Sequence, residues 1–288
     1  LDLGINFFDT ANVYSLGSSE EYLGRALRDF DVPRSDVVIA TKVNGRMRKA
    51  ANGAGLSRKA IMTEIDDSLR RLGTDYIDLY QVHWPDHGMR AADTLEVLDE
   101  FVKEGKVRAI GLSNDDAYGV MKSLWTSELE GLTRIDTIQN NFSLNNRRDE
   151  DRLAECLRHE QVSLLPYSPL AGGVLTGKYN DGVPDDARFA EYLNHGGPRQ
   201  KAMAGRFVNE KSLASTRRFG EIAKGLDLDV TTLAAAWSKQ HDYVASTIVG
   251  VSKVSQMAPI MKAAGLVLDD DTLAKIDEVS EEIMYPMG

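Results

Sequence analysis

Gly4-Ile5-Asn6-Phe7-Phe8-Asp9-Thr10-Ala11-Asn12-Val13-Tyr14, close to the N-terminus, decides how the chain folds. Ile5, Phe7 and Phe8 form an apolar run behind a glycine, as a strand buried in a parallel sheet does. Asp9 ends the run with a carboxylate, and Tyr14 follows after one short loop. A charge placed where a buried strand ends is costly without a partner. The same grammar recurs down the chain. Residues 37–42 are a second apolar run, ending in Lys42, and residues 76–82 are a third, leading to His83. Residues 107–112 lead to Ser113 and Asn114, and residues 135–138 to Gln139. Residues 162–165 lead to Tyr167 and Ser168, and residues 244–249 to Gly250.

Helical periods lie between these runs. Ser18-Ser19-Glu20-Glu21 opens one helix, and Ser57 caps another that carries Ile61, Ile65, Leu69 and Leu72 on one face and stops at Gly73. Further helices are expected over residues 95–103, 115–127, 152–158, 211–224, 231–239, 254–263 and 270–281. Strands that alternate with helices make βα units and a parallel sheet. Polar or glycine residues at every strand end point to an α/β fold of the (β/α)8 TIM-barrel type, whose active site lies at that end. No G-x-G-x-x-G follows the first strand, which argues against a Rossmann domain. Seven strands are expected rather than eight. Leu1-Asp2-Leu3 reads as the tail of a helix whose strand is missing, so the barrel is expected to lack its first βα unit. Residues 1–288 form one domain on this reading. Its rhythm is broken at 169–207 by a Gly- and Pro-rich loop, of a length that marks a functional lid.

The 34 Lys and Arg against 44 Asp and Glu give a net charge of −10, which argues against nucleic acid and anionic membranes as partners. No apolar run reaches membrane-spanning length, so no membrane insertion is expected. The single cysteine, Cys156, excludes an intrachain disulfide and suits a reducing, cytoplasmic location. Gly172 to Lys178 matches the first part of a P-loop. Tyr179 stands where Ser or Thr should bind magnesium, and the strand–helix context is absent, so nucleotide hydrolysis is set aside. No metal site is expected.

Taken singly, Asp9 reads as a cap or structural ion pair, Lys42 as a side chain reaching solvent, Tyr14 as loop packing and His83 as a hydrogen-bonded structural histidine. Jointly they place an acid, a tyrosine, a lysine and a histidine at one end of a barrel. A lysine cation favours the ionised form of a neighbouring phenol, and a carboxylate holds the lysine in place. That combination makes a proton donor for neutral pH.

The motifs GINFFDTANVY, ATKV, LRRLGTDYIDLYQVH, GKVRAIGLSN, YSPLAGGVLTGKY and residues 250–256 stand in an order that resembles the aldo-keto reductases across essentially the whole chain. The subgroup resembled is the bacterial one similar to potassium-channel β subunits. The resemblance implies a catalytic tetrad of Asp9, Tyr14, Lys42 and His83. It implies NADPH or NADP as cofactor, with NAD as the alternative. Ser113, Asn114 and Gln139 match positions that hold the carboxamide, and Tyr167 matches the aromatic that stacks on the nicotinamide. Ser168, Leu170 and Lys178 match the loop over the pyrophosphate, with Arg188 as a clamp. Gly250, Ser252 and Gln256 match the adenosine end, where a helix starting near Val254 would offer free N–H groups to phosphate. Lys253 is assigned to a 2′-phosphate. Trp84 is a candidate for the substrate wall. Pro259 and Ile260 depart from the family, which places Glu and Asn there against adenine.

The activity implied is NADPH-dependent reduction of an aldehyde or ketone, a small-molecule carbonyl substrate, in an oxidoreductase compatible with a homo-oligomer. The alternatives are a cofactor-sensing regulatory subunit and an inactive truncated reductase.

Overall fold

The computed structural model describes residues 1–287 and divides them into two compact units. The first comprises Leu1–Asn140 and His159–Ser163. In it β1 (Phe7–Asp9), β2 (Val38–Val43), β3 (Ile77–Val82), β4 (Val107–Ser113) and β5 (Thr137–Gln139) alternate with α1 (Ser18–Asp29), α2 (Arg58–Leu72), α3 (Ala91–Lys103) and α4 (Ala117–Glu130). Neighbouring strands pair in parallel and in chain order, with Phe8 opposite Ile39, Ala40 opposite Leu79, Tyr80 opposite Ile110 and Leu112 opposite Ile138. β1 stands at the edge of the sheet. Ile39, Ala40, Ile77, Tyr80, Ile110 and Ile138 are fully buried, as the continuous apolar runs require. The ends of α2 follow its sequence. Ser57 Oγ accepts from Ala60 N at 3.4 Å, and Gly73 takes the left-handed φ of +67° that closes a helix. α1 lies so close to the end of α2 that a Cβ on Gly24 would come within 2.2 Å of the Leu72 carbonyl oxygen.

The second unit comprises Asn141–Arg158 and the chain from Leu164 on. Its helices are α5 (Leu153–Glu160, whose last two residues count with the first unit), α6 (Ala190–Asn194), α7 (Pro198–Phe207), α8 (Glu210–Gly225), α9 (Val230–Lys239), α10 (Met257–Lys262) and α11 (Asp270–Glu282). Phe142 stacks on Trp237 at 4.9 Å, and Trp237, Phe219 and Leu233 are buried around the same core. Among the described residues no helix is long and apolar enough to cross a membrane.

Four expectations are corrected. Six strands are found among the described residues, not seven. β6 shrinks to Ser163–Leu164, with Ser163 N donating to Asp136 O at 3.0 Å. Residues 244–249 form no strand and make only single parallel bridges, Leu164 to Val244 and Tyr167 to Ile248. Pro166 is the cause: its carbonyl accepts from Ile248 N at 2.8 Å, but it has no N–H to return. Leu1 to Gly4 form a turn closed by Gly4 N on Leu1 O at 2.7 Å, not a helix tail. Residues 169–207 are no open loop, because α6, α7 and a 3-10 segment at Ala171–Thr176 lie inside them. Tyr179 and Phe189 are buried there, and Phe189 stacks on Phe207 at 5.1 Å. A Cβ on Gly172 would stand 2.7 Å from Phe189, so the glycine is needed for that packing. Finally, the helix expected over 254–263 splits into a 3-10 turn, Val254–Gln256, and α10. Pro259 cannot donate back to Ser255, which prevents one continuous α-helix.

Candidate active site

The strand ends of the first unit bring Asp9 and Lys42 into contact. Lys42 Nζ stands 2.5 Å from Asp9 Oδ2 and also donates to the Thr10 carbonyl at 2.9 Å. The lysine side chain is fully buried and that of the aspartate is 6% exposed. Such a pair is tolerable only when its remaining lone pairs are satisfied. Asp9 Oδ1 accordingly accepts from Gln139 Nε2 at 2.8 Å and from Gln81 Nε2 at 3.3 Å. Burial lowers the Lys42 pKa, while Asp9 opposes the shift through its charge and hydrogen bond.

Lys42 Nζ lies 5.3 Å from the Tyr14 ring centroid, so the cation stands beneath the phenol. Tyr14 remains 41% exposed. Its ring meets the His83 ring edge-on at 5.6 Å, and His83 stacks on Trp84 at 3.7 Å. Burial first, and the Lys42 charge second, lower the His83 pKa to about 3, so the imidazole is neutral at pH 7. The four predicted tetrad residues and Trp84 are therefore one cluster.

Ser113, Asn114 and Gln139, expected at a carboxamide, also meet, through hydrogen bonds of their own. Ser113 Oγ and Asn114 N both donate to the Gln139 carbonyl, at 2.8 and 3.1 Å. Asn114 Nδ2 donates to the His83 carbonyl at 2.8 Å, and Asn114 has a left-handed φ of 57°. The Gln139 amide nitrogen is committed to Asp9, which leaves its Oε1 as the acceptor for a ligand amide. Gln81 was not singled out from sequence, although it sits two residues before His83 and on the same face of the strand. A glutamine inside an otherwise apolar strand is the signal that identifies it.

In the second unit the expected cofactor residues fall on three segments. Tyr167 bridges to Asn141 and Ile248, and burial raises the pKa of its phenol. Ser168 has a φ of 55° and its carbonyl accepts from Ala171 N at 2.8 Å, while the Leu170 carbonyl accepts from Gly173 N at 2.8 Å. Lys178 Nζ lies 5.3 Å from the Tyr179 ring, and the Arg188 guanidinium 5.5 Å from the Phe189 ring. Gly250 is exposed, with open space where a Cβ would stand. Lys253 Nζ pairs with Asp186 at 2.9 Å, a partner 67 residues away that sequence spacing does not reveal. Gln256 Oε1 accepts from Ser252 N at 2.9 Å and Lys253 N at 3.3 Å, so a side chain holds these two backbone donors just before the 3-10 turn. Pro259 and Ile260 serve packing. The Pro259 carbonyl accepts from Thr232 Oγ1 at 2.7 Å, and Ile260 is buried.

Taken unit by unit, Gln139 Oε1 of the first unit can accept from an amide, and Lys178, Arg188 and Lys253 of the second are cations of the kind that hold phosphate. No group of three or more side chains suited to a metal occurs among the described residues.

The sequence matches the model of the Aldo/keto reductase family over residues 1–281. It is 36% identical to protein Tas of Escherichia coli over 316 residues, covering 98% of this chain and 87% of Tas. A Schizosaccharomyces pombe protein named as a candidate voltage-gated potassium channel subunit beta is 32% identical, over 96% of this chain and 81% of its own length. Among solved structures, a glycerol dehydrogenase from Gluconobacter oxydans superposes with a TM-score of 0.80 at 27% identity, covering 99% of this chain and 83% of that one.

Proposed function

Because the chain belongs to the aldo/keto reductase family, and is thus an oxidoreductase of carbonyl and alcohol groups, we propose that it reduces an aldehyde or ketone with NADPH and that Tyr14 is the proton donor. The observation that carries this reading is the buried Lys42–Asp9 pair set beneath the Tyr14 ring. The reduced nicotinamide supplies the hydride when bound. Tyr14 delivers a proton to the carbonyl oxygen as negative charge develops there. Lys42 favours the phenolate that remains, and Asp9 fixes the lysine. His83 is neutral, so it orients the carbonyl by hydrogen bonding without adding a second cation beside Lys42. Trp84, stacked on His83 and 43% exposed, forms an apolar wall for the substrate. In the first unit Gln139 Oε1 would take a cofactor amide, and in the second Tyr167 is the aromatic that the family resemblance gives to stacking on nicotinamide. Ser168, just before the segment 169–207, and Leu170, Lys178 and Arg188 within it would hold the pyrophosphate, with Lys253 reading the 2′-phosphate.

The test is a screen for NADPH oxidation over aldehydes and ketones, repeated with NADH. Oxidation that depends on an added carbonyl and is faster with NADPH is expected. No turnover with any carbonyl would overturn the reading. The similarity to a channel beta subunit favours a second reading, a cofactor-sensing subunit. Tight cofactor retention with turnover far slower than that of ordinary reductases would be its signature.

A further inference from the structure

Behind the tetrad the first unit holds a second cluster of charges that the reduction does not use. Glu20 is fully buried. Its carboxylate accepts from Thr41 Oγ1 at 2.6 Å and from Arg71 Nε at 2.5 Å. Glu64 of α2 is 4% exposed. Its Oε2 accepts from Asn12 Nδ2 at 3.1 Å and lies 3.8 Å from Arg71 Nη2. Its Oε1 has no hydrogen bond and faces Arg48 Nη2 at 3.4 Å, a contact of charge rather than of hydrogen bonding. The buried Glu20 and Glu64 thus face Arg71 and Arg48, and Arg48 also donates to Asp67 Oδ2 at 3.5 Å on its exposed side. Of the four side chains only that of Arg48 is substantially exposed, at 41%.

The two groups that Glu64 holds belong to different loops. Asn12 is fully buried, and its backbone N donates to the Lys42 carbonyl at 3.1 Å. Tyr14 comes two residues later and its own N donates to the Ala11 carbonyl, so the turn that presents the phenol hangs from Asn12. Arg48 lies in the loop of residues 44–56, which borders the same place. Asn44 Nδ2 donates to the Trp84 carbonyl at 2.6 Å, and a Cβ on Gly45 would stand 2.6 Å from Val13, the residue before Tyr14. The far end of this loop is pinned by Leu56 N on Asp86 Oδ2 at 3.2 Å.

We propose that Glu64 is a positioning residue whose two carboxylate oxygens divide the work, one fixing the turn that carries Tyr14 and the other fixing the loop 44–56 beside Trp84. The inference rests on Tyr14 as proton donor and goes beyond it, because it assigns proton delivery and substrate reception to one buried carboxylate on a helix. A misplaced donor costs turnover, whereas a loosened loop costs substrate affinity, so the two halves separate in kinetics.

The experiment compares Asn12→Ala, Glu64→Gln and Arg48→Ala in steady-state kinetics and in amide hydrogen exchange. Asn12→Ala should lower kcat, by up to about a hundredfold, with KM near wild type and faster exchange in residues 10–17. Arg48→Ala should raise KM about fivefold, with kcat and Tm unchanged and faster exchange in residues 44–56. Glu64→Gln keeps an oxygen for Asn12 but loses the charge facing Arg48, so it should behave as Arg48→Ala does. Variants that lower Tm while kcat, KM and exchange in both segments stay as in wild type would make the cluster mere packing and overturn the proposal. So would an Arg48→Ala that changes nothing, and that side chain is exposed enough for folding to be unaffected. Should the wild type turn over no carbonyl, the reading of Tyr14 falls, while the exchange pattern still decides whether Glu64 ties the two loops.

Discussion

At the scale of the residue, the Asp9–Lys42 pair shows how a buried charge is held for use. The carboxylate receives Lys42 on one oxygen and Gln139 and Gln81 on the other, so its orientation is fixed from both sides. Lys42→Met should lower kcat and move the alkaline limb of the pH–kcat profile to higher pH, because the cation that favours the phenolate is gone. A limb that stays in place would separate Lys42 from the acid. Gln139→Leu should cost about 2 kcal/mol, the scale of a hydrogen bond to a charged group, read as a lower denaturant midpoint at unchanged slope. An unchanged midpoint would show that this amide does not support Asp9. The clustering of Asp9, Tyr14, Lys42 and His83 was legible because polar residues at the ends of parallel strands share one face. The turning of Gln139 toward Asp9 was not, since it depends on parallel register between strands 130 residues apart. The tie from Asn12 to Glu64 was illegible for the same reason, with 52 residues between them.

At the scale of the element, sequence spoke clearly where local rules decide. Ser57 and Gly73 bound α2 as read, since cap and left-handed stop are written in single residues. It spoke poorly where one proline acts on a neighbour. Pro166 breaks the pairing of residues 244–249 from outside that segment, and no periodicity within the segment reveals it. The helices within 169–207 were hidden by glycines and prolines, of which Gly172 in fact makes room for Phe189 and Phe207. On the reading of this segment as the cofactor cover, the exposed Lys253–Asp186 pair sets cofactor choice. Lys253→Glu should weaken NADPH binding far more than NADH binding, because it replaces attraction by repulsion at the one group that differs. Asp186→Ala should do the reverse and tighten NADPH a few-fold, in the range of a surface pair. Equal changes for both cofactors, measured by titrating protein fluorescence, would remove Lys253 from the 2′-phosphate.

At the scale of the whole molecule, two histidines make stability depend on pH. Burial and the Lys42 charge hold His83 at about 3, and burial with Arg147 and Arg158 holds His241 at about 4, against an ordinary 6.5. Between about 6.5 and 4 the unfolded chain therefore binds protons that the folded chain refuses, and stability must fall as pH falls through that window. Asp115, Asp136 and Glu150, whose carboxyls burial pushes up, act in the opposite sense. The difference between wild type and His241→Asn isolates the histidine. The Tm of the variant should fall less steeply with acid, and parallel curves would deny the shift.

The central claim is that Tyr14 gives the proton and does nothing else essential. It is tested most directly by measuring NADPH affinity and kcat for carbonyl reduction in Tyr14→Phe. The account predicts unchanged NADPH binding and a kcat lower by about two to four orders of magnitude, the usual worth of a placed acid. A variant that keeps near-wild-type kcat would contradict it.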